Sequence, residues 1–269
     1  MLWSGHAEHP GLHRSKCNQS NFVAPTPKLS QTSQMNSGNP QQALNLQLTQ
    51  ANTFETYYSG SDPTLISVLK NVASGVLEEP QIFLWGVNGT GKTHVLQAMC
   101  RVATDAHKQA MYIPMKDLLA QDPASIGELQ NLDLVCIDDV HVIAKNSQWE
   151  KALFNFINHH RAHKTTIVIS SLYAPTENLF ELPDLNSRAV WGPVYKLTPL
   201  AEEHMEDALC FHAEVRGLEL SDEVKNYLLT HYQRDVSTMV GIIEVLDKAS
   251  LQEQRKVTIP FLKKILAKI

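Results

Sequence analysis

The four cysteines of this 269-residue chain are scattered, and their spacing is not that of metal ligands. Three of them, Cys100, Cys136 and Cys210, lie within apolar segments, which predicts buried thiols. Cysteine used in this way is typical of a reducing cytoplasm. The cysteines therefore give no indication of a structural metal site.

Long apolar runs are also missing. No run approaches the length of a membrane span, and the N-terminus lacks the apolar region of a secretion signal, so we expect a cytoplasmic protein without membrane contact.

Basic residues are not in excess. The net charge of -5 and the pI of about 6.2 argue against sequence-independent DNA binding as the main task, although a local basic patch remains compatible. A hydrophobic content of 43% predicts a real core, in one medium and one small domain.

The most informative stretch runs from Gly86 to Thr93 and reads GVNGTGKT, which fits the phosphate-binding pattern G-x-x-x-x-G-K-S/T at every required position. The apolar run 81–85 before it predicts a buried strand, and residues 94–101 after it are good helix formers. Strand, glycine loop and helix form the setting that this motif requires. The alternative is a glycine-rich turn that binds nothing.

The residue types of this loop suit a nucleotide. Glycines let the backbone approach an anion, and successive N–H groups at a helix N-terminus attract phosphate. Lys92 is expected near the β- and γ-phosphates, and the Thr93 hydroxyl is expected on Mg²⁺. We therefore predict ADP or ATP with Mg²⁺ as the ligand. The predicted nucleotide contacts are Gly86, Asn88, Gly89, Thr90, Gly91, Lys92, Thr93 and His94.

Four further strands are predicted, over 110–114, 132–139, 165–171 and 194–197. Together with 81–85 they indicate a parallel five-stranded sheet, in which ligands gather at the carboxyl ends of the strands. The third strand ends in Asp138 and Asp139. Asp138 is expected to bind Mg²⁺, directly or through water, and Asp139 is expected to help orient the attacking water. A surface turn would also explain the acidic pair. The fourth strand ends in two serines, Ser170 and Ser171, that could reach a γ-phosphate or its water.

Other side chains leave two interpretations open. Arg188, near the end of a short helix, suits bidentate phosphate contact but could equally cap a surface carboxylate. The aromatic residues of 54–58 either wall a nucleotide base or pack in the core. His159, His160 and His163 end a predicted helix over 147–163, where favourable charge at the helix C-terminus is a simpler explanation than a metal site.

The two ends of the chain differ from the middle. Residues 1–41, rich in Ser, Asn, Gln and Pro, are expected to be disordered, and Met35 is an alternative start. Segment 42–52 contains Gln42, Leu44, Leu46 and Leu48, whose alternation suits either a groove on a partner or an edge strand of its own domain. An α/β domain is predicted over 53–198. Helical spacing over 200–216, 221–231, 235–254 and 260–268 then predicts a small all-helical domain, 199–269.

Several motifs together resemble the AAA+ ATPases of the bacterial replication-initiator branch, and within it most closely the Hda group of DnaA regulators. The resemblance extends from about residue 42 to the end of the chain. It rests on GKTH running into VLQA at 91–98, CIDDV at 136–140, LPDLNSR at 182–188 with Trp-Gly at 191–192, LDKAS at 246–250 and QRKVTIPF at 254–261.

This resemblance implies a concrete function. Members of the group act with the DNA-loaded sliding clamp to make the DnaA-type initiator hydrolyse its ATP, and so inhibit renewed initiation. By resemblance, Leu44, Leu46 and Leu48 dock on the clamp, DNA is contacted indirectly through it, and Arg188 is an arginine finger that serves the initiator's nucleotide. The helical domain becomes the AAA+ lid. Homo-oligomers are plausible for such interfaces, and weak intrinsic ATPase activity fits a stable ADP holder.

Two positions depart from the family pattern. The glutamine that opens the clamp motif aligns with Ala43, so Gln42 would have to substitute for it. The sensor arginine of the lid aligns with Ser237, and Arg234 lies one turn earlier. By resemblance, the γ-phosphate is sensed less well without that arginine, which weakens the case for ATP turnover by this protein alone. An autonomous DNA-associated ATPase or helicase loader remains the alternative, because the residues of the phosphate-binding loop are intact. An initiator-like DNA-binding protein is less favoured, because no basic helix-turn-helix sequence follows Ile269.

Overall fold

A computed structural model of the protein describes residues 52–58, 60, 63–129, 131–175, 179–232 and 235–267, and for Glu128 the backbone alone. The expected tail and the leucine segment, with Gln42, Leu44, Leu46 and Leu48, lie outside the described residues, as does Arg234. Within the described part of the chain, no helix combines the length and apolar content that crossing a bilayer requires.

A five-stranded parallel sheet organises the first part of the chain. Its strands are β1 (Gln81–Trp85), β2 (Ala110–Pro114), β3 (Leu134–Asp138), β4 (Thr166–Ser171) and β5 (Val194–Lys196). They lie side by side in the order β2-β3-β4-β1-β5, and every described pairing is parallel. The predicted sheet is confirmed. Because β1 and β3 are both inner strands, the glycine loop after β1 and the acidic pair after β3 come to the same edge.

Helices cover both faces of the sheet. Their bounds are α1 (Pro63–Ser74), α2 (Lys92–Asp105), α3 (Met115–Leu118), α4 (Ser147–Ala162) and α5 (Pro183–Ala189). Along β3, Leu134 and Cys136 face the core that contains α1 and α2, whereas Val135 and Ile137 face the core that contains α4 and α5. A strand buried on both sides cannot alternate apolar with polar residues, which explains its continuous apolar run.

The C-terminal part is a helical unit with its own apolar core. It consists of α6 (Met205–Val215), α7 (Asp222–His231), α8 (Val236–Glu253) and α9 (Ile259–Leu266). Three of its helices begin at side chains that accept a backbone N–H, Ser221, Asp235 and Thr258. Gly217 follows α6 at φ 66°, the left-handed conformation that often ends a helix. The predicted lid-like region is therefore present.

Three details differ from the sequence-based expectations. The helix predicted over 200–216 begins at Met205, because Ala201 is extended and a 3₁₀ turn, Glu202–His204, intervenes. The third strand ends one residue early, because Asp139 adopts the left-handed region at φ 57°. Cys100 and Cys136 are buried as expected, but Cys210 is only half-buried.

Two buried histidines make stability depend on pH. Burial lowers the pKa of His160 to about 4, with help from the charge of His159, and it lowers the pKa of His212 to about 4, with help from Arg216 and His94. His160 is 1% exposed and neutral at pH 7. The prediction that it carries a favourable positive charge at the end of α4 is therefore wrong. In the unfolded chain a histidine titrates near its ordinary pKa of about 6.5.

We expect the free energy of unfolding to be fully present above about pH 6.5 and to fall as the pH is lowered towards 4, because the unfolded chain then binds more protons. Each histidine contributes at most about 1.4 kcal/mol per pH unit within this window. Urea unfolding at pH 7.5 and 5.0 measures the loss. His212→Leu should make the pH dependence shallower, and an unchanged slope in this variant would contradict the burial of a neutral His212.

Candidate nucleotide site

The glycine loop connects β1 to α2 in the way the motif requires. Gly91 is the residue that precedes the first turn of α2, and it adopts φ 82°, a conformation that favours glycine. A Cβ on Gly86 would lie 2.3 Å from the carbonyl oxygen of Leu197, so a side chain is excluded there as well. The backbone N–H groups of the first turn of α2 therefore open towards the loop, where an anion is favoured.

Lys92 lies inside this loop and is 6% exposed. Its Nζ donates hydrogen bonds to the carbonyl oxygens of Gly86, at 2.6 Å, and Val87, at 2.9 Å. Burial lowers the pKa of Lys92 from its ordinary value, and the carboxylates of Asp139 and Asp138 oppose this shift. A phosphate group in the loop would raise that pKa again, because an adjacent negative charge favours the ammonium form.

Asp138 is the centre of a hydroxyl network at the carboxyl end of β3. Its Oδ2 accepts hydrogen bonds from Thr93 Oγ1, at 2.6 Å, and Tyr112 Oη, at 2.7 Å, and its Oδ1 accepts one from Ser170 Oγ. Burial first, and then the charge of Asp138, raises the pKa of the Tyr112 phenol, so Tyr112 donates. Three neutral donors thus hold the buried carboxylate beside the threonine of the loop.

Asp139 has a different environment from Asp138. Its Oδ2 forms an ion pair with Lys116 Nζ at 2.6 Å, and its Oδ1 lies 3.8 Å from Nδ1 of His141. The hydrogen bond to Asp139 raises the pKa of Lys116. Burial lowers the pKa of His141, although Asp139 opposes this, so the ring is neutral at pH 7. Asp139 is therefore the charged acceptor that faces the cavity.

These residues fit a nucleotide with Mg²⁺. The loop supplies N–H groups and the ammonium group of Lys92, and the neighbouring Thr93 hydroxyl and Asp138 carboxylate supply the oxygen ligands that Mg²⁺ prefers. Among the described residues, no group of three histidine, cysteine or carboxylate side chains is arranged as a metal site. A magnesium ion here would take its remaining ligands from phosphate oxygens and water.

A cavity of about 400 Å³ extends from the glycine loop to the helical unit. Of the predicted nucleotide contacts, all except Gly86 line it, and so does Asp139. Gly86 and Asp138 lie behind this surface, where they determine its shape. The two serines that end β4 do not reach the cavity, because both are fully buried, with Ser170 bonded to Asp138 and Ser171 to the backbone N–H of Tyr173.

The segment 52–58 forms another wall of the cavity. His94 Nε2 lies 2.7 Å from the carbonyl oxygen of Thr53, and Asn52 Nδ2 donates to Gln97 Oε1 at 3.0 Å. Tyr57 contacts the loop through a hydrogen bond to the Thr90 carbonyl oxygen. Core packing is therefore confirmed for Phe54, whereas contact of Tyr57 or Tyr58 with a nucleotide base stays a prediction. Phe54 packs in the core, whereas Tyr57 and Tyr58 line the cavity.

Arg188 lies elsewhere and does not line this cavity. Its guanidinium carbon is 3.5 Å from the ring centroid of Trp191, and that of Arg161 is 3.4 Å from the same centroid. Two groups so close to one centroid must occupy opposite faces of the ring. Gln81 Nε2 donates to the Arg188 carbonyl oxygen at 2.7 Å, which fixes the end of α5 to the start of β1.

The surroundings of Arg188 are exposed to solvent. Trp191 is 43% exposed, and Val190 and Val194 beside it are 48% and 42% exposed. An apolar patch with two arginines is favourable for protein contact, since tryptophan and arginine are enriched at the centres of interfaces. We call these residues, with Arg161, the Trp191 patch.

Some residues that line the cavity, or contact its acidic pair, carry no motif. Tyr112 and Lys116 bond the two aspartates, and His212 and Arg216 line the cavity from α6. The lid position singled out in the sequence, Ser237, lines the cavity too. Tyr112 shares a sheet face with Asp138 because β2 pairs with β3, and the sequence alone does not specify that pairing. The lid residues had no sequence signal either.

Known proteins resemble this chain in both parts. The family model of the bacterial DnaA ATPase domain matches residues 48–196, and that of the Hda lid domain matches residues 202–266. An uncharacterized protein of Haemophilus influenzae is 39% identical over 215 residues, which is 80% of this chain and 93% of that protein.

Solved structures show the same fold. Domain III of the replication initiation protein DnaA of Thermotoga maritima superposes with a TM-score of 0.70 at 25% identity, over 83% of this chain and 98% of that one. AMPPCP-bound DnaA of Aquifex aeolicus superposes with a TM-score of 0.60 at 22% identity, over 77% and 71%. The two domains indicate a role in replication initiation or in the regulation of DnaA. The chain belongs to the bacterial DnaA ATPase-domain family of the AAA+ replication-initiator branch and carries an Hda lid domain.

Proposed function

We propose that this protein binds ADP or ATP and is a negative regulator of chromosomal replication initiation. It makes a DnaA-type initiator hydrolyse its bound ATP, and it does so together with the DNA-loaded sliding clamp. Its intrinsic ATPase activity is weak, and the hydrolysis that matters occurs in the initiator. It works in the cytoplasm and contacts DNA through the clamp. It also forms homo-oligomers through AAA+ interfaces.

One observation carries this proposal: Arg188 and the cavity of its own chain are separate. Arg188 stacks on an exposed tryptophan in an apolar patch, whereas the described residues that line the cavity include other cations but not Arg188. A guanidinium presented on a surface favourable for protein contact can serve a phosphate held by another molecule. The family relationship supports DnaA as that molecule.

The residues of the cavity have distinct tasks in this proposal. Bound nucleotide with Mg²⁺ orders the surface through which this protein contacts its partner. The loop N–H groups and Lys92 hold the phosphates, and Thr93 and Asp138 hold Mg²⁺. Asp139, which the cavity exposes, would orient a water molecule if hydrolysis occurred in this chain. In this structure Lys116 neutralises that carboxylate, which is consistent with weak intrinsic turnover.

The test begins with wild-type protein titrated with ADP and with ATP. Initiator loaded with labelled ATP is then incubated with this protein, with clamp loaded on DNA, with both, or with neither. We expect rapid hydrolysis only when both are present. The alternative, an autonomous DNA-associated ATPase or helicase loader, is supported by the intact Lys92, Thr93 and Asp138. It requires sustained turnover by the isolated protein, and turnover without initiator or clamp would replace our proposal.

The leucine segment gives a separate prediction. Replacing Leu44, Leu46 and Leu48 by alanine is expected to abolish retention on immobilised clamp, because an extended segment binds a groove through its alternate apolar side chains. Nucleotide affinity should not change, because the glycine loop and the other described residues that line the cavity are left intact. The matched control is alanine at the intervening Asn45 and Gln47, which should be retained normally. Retention of the triple-leucine variant would refute the docking role.

A further inference from the structure

Glu150 is a buried carboxylate on α4 that holds three backbone N–H groups. It is 1% exposed. Its Oε1 accepts hydrogen bonds from Lys145 N at 2.8 Å and Glu181 N at 3.1 Å, and its Oε2 accepts one from Leu182 N at 2.8 Å. Burial of a carboxylate is costly unless hydrogen bonds replace the lost water, and hydrogen bonds to a charged acceptor are stronger than neutral ones. Glu150 therefore fastens the residues before α5 to the start of α4.

Asn186 holds the same stretch of chain from within α5. It is 8% exposed, its Oδ1 accepts a hydrogen bond from Phe180 N at 2.9 Å, and its Nδ2 donates to the Phe180 carbonyl oxygen at 2.6 Å. The ring of Phe180 is buried in the core that contains α4 and α5. We call residues 180–182 the pre-α5 segment. Each of its three residues is thus hydrogen-bonded through its backbone to a side chain of α4 or α5.

The pre-α5 segment determines where Arg188 lies. Since α5 has only 7 residues, Arg188 is less than two helical turns away from Leu182. Gln81 fixes the other end of α5, because its Nε2 donates to the carbonyl oxygens of Arg188 at 2.7 Å and Ala189 at 3.3 Å. A helix this short moves as one piece, so a shift of the pre-α5 segment would carry the guanidinium with it.

We propose that Glu150, assisted by Asn186, is a positioning residue for Arg188. By fixing the pre-α5 segment, it sets the place and direction in which the guanidinium is presented to the nucleotide of the initiator. This deepens the proposed function, on which it rests. Glu150 is not among the described residues that line the cavity, so its contribution is to hydrolysis in the partner and not to nucleotide binding by this chain.

The experiment replaces Glu150 by glutamine, which keeps the shape of the side chain but has one acceptor oxygen instead of two. We expect the maximal rate of hydrolysis of initiator-bound ATP, with loaded clamp present, to fall about 100-fold, the loss that a displacement of about 1 Å can cause. The concentration of this protein that gives half of the maximal rate should not change, because the lost interaction forms only in the transition state. ADP affinity, measured by calorimetry, should match wild type.

Hydrogen exchange tests the positioning directly. The backbone amides of residues 180–182 should exchange faster in Glu150→Gln than in wild type, because buried N–H groups lose an acceptor. The control is Val72→Ala, which removes methyl groups from the core on the other face of the sheet and lowers the melting temperature without altering the pre-α5 segment. At equal distance below its melting temperature, this control should exchange more slowly at residues 180–182 than Glu150→Gln, and it should stimulate the initiator as wild type does.

A second variant covers the case in which Glu150→Gln does not fold. Asn186→Ala removes the other side chain that holds the pre-α5 segment, and it should likewise lower the maximal rate with no change in ADP affinity. If the folded variants kept the wild-type maximal rate, or lost no more of it than Val72→Ala, the inference would be overturned while the proposed function stayed intact. A wild-type protein that gives no stimulation would instead overturn the proposed function, and the inference with it.

Discussion

Replacing Arg188 by alanine is expected to abolish stimulation of the initiator's ATP hydrolysis, with a loss of roughly 10³-fold or more in rate, the usual contribution of an arginine supplied in trans. The physical reason is that the guanidinium neutralises charge that develops on the transferred phosphoryl group. Affinity of the variant for ADP should match wild type, because Arg188 is not among the described residues that line its own cavity. Phosphate release from initiator-bound ATP, with loaded clamp present, measures the effect.

Arg161 provides the matched control for this experiment. It stacks on the same tryptophan at a similar distance, so Arg161→Ala removes the same charge from the Trp191 patch. We expect this variant to retain most of the stimulation, since Arg161 belongs to α4 and not to the segment that Gln81 fixes. Equal losses in both variants would mean that the patch acts as a general cationic surface, and the specific role of Arg188 would then be wrong.

The second large effect is expected at Lys92. Lys92→Ala should weaken ADP and ATP by about 100-fold or more, which corresponds to about 2.7 kcal/mol, because a charged donor at the phosphates is lost. Lys151→Ala, on the exposed side of α4, is the control and should bind normally. Calorimetric titration measures both proteins.

Folding of the Lys92 variant needs a separate check, because Lys92 also bonds two loop carbonyls. Far-UV circular dichroism and the melting temperature without nucleotide should be close to wild type. If a folded Lys92→Ala protein bound ADP as tightly as wild type, the cavity would not be the nucleotide site. The same variant should fail in the initiator assay, because the partner interface then lacks its bound nucleotide.

Much of the fold was predictable from local sequence. The apolar run before the glycine loop, and the run that ends in Asp138, each predicted a buried strand, and both are present. The helical spacing over 221–231 and 235–254 predicted two helices, and both are present. These predictions are correct because each of the features depends on residues that are only a few positions apart in the sequence.

The rest depended on how distant segments meet. The hydroxyl network on Asp138 needs β2 next to β3, and a single sequence does not specify that order, so Tyr112 was missed. His212 and Arg216 were missed because they line the cavity from a helix that is far along the chain from the glycine loop. The helix-end histidine His160 was misassigned, because burial outweighs the attraction of a helix C-terminus for positive charge.

The attachment of Asn52 and Thr53 to α2 has a consequence for the leucine segment that precedes them. Four peptide units separate Leu48 from Asn52. Because an extended chain covers at most about 3.6 Å per residue, this linker is no longer than about 14 Å. Any macromolecule that binds Leu48 must therefore lie close to Asn52, which lines the nucleotide cavity. A linker this short leaves the bound macromolecule little freedom to reorient relative to the cavity. It also raises the effective concentration of this protein for a second partner that is held on the same macromolecule.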